Sequence, residues 1–328
     1  MKKYYIGVAL FVFFIIGFFA ARHLNKEVVT VKRSKVLLGT IVEIQIRSAD
    51  VELADKVIGD AFNEINRIDK LLSIYDSQSP VFKINSSPDS ILNVDEEIFS
   101  LMQKCNSLSQ LSSGAFDISI GSVISVWGFG KGNPAIPTHA DLKKALENSG
   151  WRHVGFPSNN RLKKSNGVKF DFGGVAAGYA ADKAIDVIAK SGITDALVNT
   201  GGEIQGIGDD WTIGIQHPRM RGQLLEKLKF HGKAIVTSGD YEQYFEENGK
   251  RYNHIINPKD GFPAPDCQSV TIIADNALTA DALATGIFVL GPVKGLELAE
   301  RLENIEAYIV DSAGHIRQSS GFKNFITR

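Results

Sequence analysis

Short β-rich runs and amphipathic helical stretches follow one another along this chain without a regular βα period. A doubly wound parallel sheet needs that period, because each parallel strand is reached through a crossover helix. The pattern therefore implies an α+β fold, with mixed sheets and helices in a single composite domain. A strand is expected over 36–47, broken at Gly39. Apolar residues at helical spacing (Leu53, Val57, Ile58, Ala61, Ile65, Ile68, Leu72) predict a helix over 50–72. Residues 71–85 read as irregular, and 95–113 as a second amphipathic helix that stops at Gly114. Further helices are expected over 138–149, 179–191, 279–290 and 292–304. Further strands are expected over 168–171, 196–199, 211–216, 234–237, 254–257, 269–274 and 307–310.

Ahead of this pattern, Lys2 and Lys3 precede an uncharged, mostly apolar run over 4–21, and Arg22 and His23 follow it. The run is about long enough to cross a bilayer core as a helix. The leading positive charges favour a cytoplasmic N-terminus. Residues 1–23 read as an apolar membrane-anchor helix, or as a signal segment cleaved near Ala20 and Ala21. The rest of the chain is then expected on the periplasmic side of the cytoplasmic membrane. Residues 24–35 are polar and read as a linker, which leaves 36–328 as the domain. Lys plus Arg number 36 against 37 Asp plus Glu, so the basic excess of a nucleic-acid surface is missing and no nucleic-acid partner is expected. Cys105 and Cys267 lie far apart with no CxxC, which argues against a thiolate zinc site. Cys105 falls on the apolar face of its helix and reads as a core thiol.

Five segments could carry chemistry. Asp281 and Thr285 lie four apart on an otherwise apolar helix, so both leave from one face. A buried carboxylate needs a partner, and a hard cation accepts carboxylate, hydroxyl and carbonyl oxygens. Read from spacing alone, Thr279 and Asp281 are better explained as caps of the helix, since Asp is common in a first turn. Residues 171–178 (DFGGVAAG) follow a strand and open a helix, which suits a phosphate or a plain tight turn. Asn199-Thr200-Gly201-Gly202-Glu203 and Thr237-Ser238-Gly239-Asp240-Tyr241 also end strands, as phosphate donors or as β-turns. His254 is a structural histidine or, beside a metal and a hydroxyl, a general base. Tyr75 and Phe116 could flank a planar ring or sit in the core.

The order and wording of these segments resemble the ApbE family of FAD:protein FMN transferases. The likeness is carried by Leu38-Gly39-Thr40, LSIYDSQSPVFKIN (72–85), SGAFDISIG (113–121), DFGGVAAGYAAD (171–182) and LVNTGGEIQGIG (197–208). It continues in TSGDYEQYF (237–245), YNHIINPKDGFP (252–263) and SVTIIADNALTADALATGIFVLG (269–291). The resemblance implies an ApbE-type, T-fold-like domain that takes FAD as substrate. It implies FAD contacts at Leu38, Tyr75, Ala115, Phe116, Asp117, Asp171, Ala177 and Ile255, with Ser238, Gly239 and Asp240 along the pyrophosphate. It implies Mg²⁺ held by Asp281, Thr285 and the backbone oxygen of Gly174, with His254 and Asp281 as the catalytic pair. The acceptor it implies is a Thr or Ser of a partner protein, an electron-transport subunit or an FMN-binding domain. One departure stands out: the family's Ala-Lys-Gly reads Ala176-Ala177-Gly178 here, so a point charge against the pyrophosphate is missing. Two other functions remain: an FAD pyrophosphatase that gives FMN and AMP, and a flavin-binding protein without catalysis.

Overall fold

The computed structural model describes residues 27–130 and 132–327; the apolar run over 4–21 lies outside the described residues. The chain opens with a hairpin, β1 (Val29–Leu37) and β2 (Thr40–Ser48), followed by α1 (Val51–Leu72), α2 (Pro80–Ser86), β3 (Ile91–Asn93) and α3 (Glu96–Leu111). Next come α4 (Gly121–Trp127), α5 (His139–Glu147), β4 (Val154–Ser158), β5 (Arg161–Lys164) and α6 (Ala176–Lys190). The second half holds β6 (Ala196–Asn199), β7 (Ile204–Ile207), β8 (Trp211–Gln216), β9 (Leu224–Phe230), β10 (Ala234–Gly239), β11 (Tyr244–Glu247) and β12 (Lys250–Asn253). It closes with β13 (Cys267–Ala274), α7 (Ala277–Arg301), β14 (Glu306–Asp311) and β15 (Ile316–Gln318).

An eight-stranded sheet, ordered β1-β2-β6-β7-β10-β13-β14-β15, forms the frame, and every pairing in it is antiparallel. Both faces are buried, which explains why its central strands read as nearly continuous apolar runs. Side chains alternate across a strand, and the alternation assigns them to two cores. Ala196, Val198, Val236, Ile272 and Ile309 face the main core with helices α1, α3, α6 and α7. Leu197, Ile235, Ile273, Tyr308 and Val310 face a second core roofed by the β8–β9 hairpin and Phe322. A third cluster joins α4 and α5 to Ile256 around Trp127, whose indole N–H donates to the Gly261 carbonyl at 2.7 Å.

The α+β expectation holds, and the long helices fall where periodicity put them. Asp50, Asp95 and Thr138 cap α1, α3 and α5 with their side chains. The two helices expected over 279–290 and 292–304 are one element broken at Gly291, whose φ of 79° lies outside the helical region ahead of Pro292. Four expectations fail. The polar stretch read as a linker over 24–35 is, from Val29 onward, strand β1. As an edge strand it buries only Val31 and Leu37, so it can stay polar. The irregular stretch over 71–85 contains α2, started by Pro80 in its first turn under a Ser79 cap. Residues 168–171 form no strand: Asn85 takes the ladder's place by accepting from Phe170 N–H at 2.7 Å and donating to its carbonyl at 2.8 Å. Residues 254–257 make a single bridge, Ile256 to Pro263, beyond the end of β12.

Candidate active site

A cleft of about 940 Å³ is lined by residues of both cores. Phe116 and Ile255 of the main core line it, and so do Ile204, Ile215 and Ile235 of the second core. Of the fifteen residues the resemblance implies for the site, thirteen border this one cavity: Leu38, Tyr75, Ala115, Phe116, Asp117, Asp171, Gly174, Ala177, Ser238, His254, Ile255, Asp281 and Thr285.

Helices α6 and α7 meet at their amino ends. The side chain of Asp182 on α6 accepts from the Ala277 and Leu278 amides at 2.7 and 3.0 Å, and Asn276 accepts from Thr279. In return, Asp281 on α7 accepts from the Gly178 amide of α6 at 3.1 Å. Each helix thus satisfies orphan N–H groups of the other. Asp281 does not cap its own helix; Asn276 does. The approach is close enough that a Cβ on Gly178 would lie 2.5 Å from the Ala277 carbonyl oxygen. Thr285, one turn on from Asp281, reaches Gly174: its Oγ1 lies 3.3 Å from where a Cβ on that glycine would sit.

Around this centre the other residues are held locally. Leu38 and Gly39 form the two-residue turn of the β1–β2 hairpin, both left-handed (φ 54° and 73°), and Asp69 accepts from the Leu38 amide at 3.3 Å. A leucine in that region is strained, and such strain gathers at ligand sites. Asp171 accepts from Gly173 N–H at 2.8 Å and Asp117 from Ser119 N–H at 2.7 Å, while burial pushes both carboxyls up. Thr200 donates to the Ala177 carbonyl at 3.0 Å, tying the glycine turn after β6 to the start of α6. His254 lies beyond β12, with its Nδ1 3.2 Å from the Gln243 carbonyl. Burial holds its imidazole below the ordinary value of 6.5.

Two expected residues are not brought together with the rest. Gly239 and Asp240 do not border the cleft. Asp240 is buried and grips Arg219 through two bonds of 2.7 and 2.6 Å, with Arg251 at 3.7 Å. Its partner arrives from the β8–β9 loop, which no local pattern announces.

Sequence reading also missed an electrostatic feature. Glu203 and Glu242 border the same cleft as Asp281. Burial pushes Glu203 up to about 7, while partial burial and the Glu203 charge raise Glu242, whose side chain reaches solvent at the cleft. Burial, then the charges of Glu203 and Glu242, drive Asp281 well above the usual carboxylate range. Glu203 ends the TGGE turn and Glu242 follows TSGDY, so both were visible as acids beside noted turns. A cleft that concentrates negative charge suits a cation. Among the described residues no three His, Cys, Asp or Glu side chains cluster closely enough to hold a metal alone. A hard divalent ion would fit Asp281 and Thr285 with the Gly174 backbone, its shell completed by oxygens of a bound ligand.

Comparison with known proteins agrees with this geometry. The model of the ApbE family matches residues 38–309. The FAD:protein FMN transferase of Klebsiella pneumoniae is 32% identical over 292 residues, covering 88% of this chain and 91% of that protein. The crystal structure of the ApbE protein of Thermotoga maritima superimposes with a TM-score of 0.85 at 35% identity, covering 92% of this chain and 100% of that one. The apo flavinyl transferase ApbE of Pseudomonas stutzeri gives a TM-score of 0.82 at 30% identity, over 91% and 97% of the two chains. By fold, by cleft and by these relatives, the chain belongs to the ApbE family.

Proposed function

We propose that this chain is an Mg²⁺-dependent FAD:protein FMN transferase, which moves the FMN half of FAD onto a Thr or Ser hydroxyl of a partner protein and releases AMP. The observation that carries the reading is the meeting of Asp281, Thr285, Gly174 and His254 on one dinucleotide-sized cleft. The activity named for the Klebsiella relative supports it.

Asp281, Thr285 and the Gly174 carbonyl would hold the ion, and Mg²⁺ when bound supplies neutralisation of charge on the FAD diphosphate. Leu38, Tyr75, Phe116, Asp117, Asp171 and Ile255 bind and orient the dinucleotide, and the Ser238 hydroxyl donates to a phosphate oxygen. Ala177 leaves that phosphate without a lysine, so more of its charge rests on the cation. Nδ1 of His254 donates to Gln243, which leaves Nε2 unprotonated and able to take the proton of the acceptor hydroxyl. That oxygen attacks the FMN-side phosphorus, the phosphoanhydride P–O bond breaks, and AMP departs. We further propose that the apolar run over 4–21 anchors the catalytic part at the periplasmic face of the cytoplasmic membrane, which cell fractionation tests.

Incubation with FAD and Mg²⁺, with and without an acceptor protein, tests the reaction by mass spectrometry. A covalent FMN adduct on Thr or Ser with matching AMP is the expected result. Free FMN without acceptor would assign a pyrophosphatase instead. Stoichiometric FAD binding with no AMP would assign a flavin-binding protein.

A further inference from the structure

The β8–β9 hairpin has one open edge, and it borders the cleft. The inner edge of β8 pairs with β9. The far edge of β9 is covered by C-terminal residues: Lys229 N–H donates to the Phe325 carbonyl at 2.8 Å, and Thr327 N–H to the Lys227 carbonyl at 2.9 Å. Leu228 and Ile326 form an antiparallel bridge between these two bonds. In an antiparallel pair, residues that exchange both bonds alternate with residues that turn N–H and C=O outward. Lys227 and Lys229 turn theirs toward the C-terminal residues. Their cross-strand partners, Gly214 and Thr212, therefore turn theirs toward the opposite edge. Among the described residues no strand pairs with that edge, and both residues are exposed. Gly214 lines the cleft together with Ile213, Ile215 and Gln216.

Natural proteins usually cover or blunt such an edge, because it templates another strand. Here it adjoins a reaction cleft, and none of the residues assigned to FAD lies on β8. We infer that β8 is the docking strand for the acceptor: an extended segment of the partner polypeptide adds to its free edge and pairs with the backbone of Thr212 and Gly214. The added strand carries its Ser or Thr into the cleft toward His254. Main-chain pairing of this kind grips a peptide largely regardless of sequence, and alternate side chains set the preference. The inference rests on the FMN-transfer reading and specifies how the acceptor is held.

The test uses the full chain, FAD, Mg²⁺ and an array of unstructured synthetic peptides, each with one Thr or Ser, read by covalent flavin fluorescence. The wild type is expected to label a subset. Thr212→Pro, at a position that does not line the cleft, removes one outward N–H and no bond to β9. It should lower kcat/KM for the best peptide about tenfold, the weight of one or two backbone hydrogen bonds, with FAD affinity unchanged. Should that variant fold poorly, N-methylation of the peptide backbone position by position gives the same answer. Labelling should fall at alternate positions, the period of a strand. Unaltered labelling by a folded Thr212→Pro protein, or a methylation profile without that period, overturns the docking mode. Labelling of envelope proteins but of no peptide overturns it too, while the transfer reading stands. No AMP with either kind of acceptor removes the transfer reading, and the docking with it.

Discussion

At the scale of the residue, ionisation divides the labour of the cleft. His254 is held neutral by burial, so an NMR titration of the free protein should place its imidazole below 6.5. His254→Gln should lower transfer by about 100-fold or more, the usual weight of a general base, with FAD binding retained. Wild-type rates in that variant would remove the base assignment. Glu203 and Glu242 titrate the other way. Both bind protons more tightly folded than unfolded, Glu203 being the less exposed of the two. The ligand-free protein should therefore lose stability as pH rises from the ordinary 4.5 of Glu203 through about 7. Glu203→Gln should flatten that decline. Thermal melts in chelator at about pH 5 and about pH 8 measure the difference, and an unaltered slope would show that Glu203 does not cause it.

At the scale of the element, the contact of α6 with α7 governs the site. Gly178→Ala forces a methyl against the Ala277 backbone and should cost about 2–3 kcal/mol, as overpacking does. Asp182→Ala withdraws the acceptor from two amides of α7 and should cost about 1–2 kcal/mol, as a lost cap does. Urea unfolding checks both; a loss within error at Gly178 would mean the helices can separate freely. Helices α1 and α3 were legible because each buries one stripe and carries its own cap, Asp50 and Asp95. The strands were less so. β7, β9, β11 and β12 are four to seven residues long and find their partners through turns, not through a period of their own. β1 was hidden because an edge strand has little to bury.

At the scale of the whole molecule, the cleft belongs to two layers at once, so a ligand filling it should brace both. FAD with Mg²⁺ should raise the melting temperature as one transition, by the equivalent of about 2.7 kcal/mol at one hundred times the dissociation constant. Chelator should remove most of that gain, and an FAD shift indifferent to chelator would speak against a shared cation. The cleft's first side was readable from the glycine turns and from Asp281 with Thr285. Its second side was not: Ile213, Gly214 and Ile215 form an ordinary alternating strand until the fold sets them along the same cleft as Ser238. The same holds for Asp240, whose neighbour Arg219 is distant in sequence and close only in space. The crossed carboxylates of Asp182 and Asp281 act as a clasp with its two hooks on opposite helices. Because the Asp281 hook holds the Gly178 amide at the root of α6, loading of the cleft with FAD and Mg²⁺ should slow hydrogen exchange at Gly178, a reporter of occupancy that does not depend on turnover.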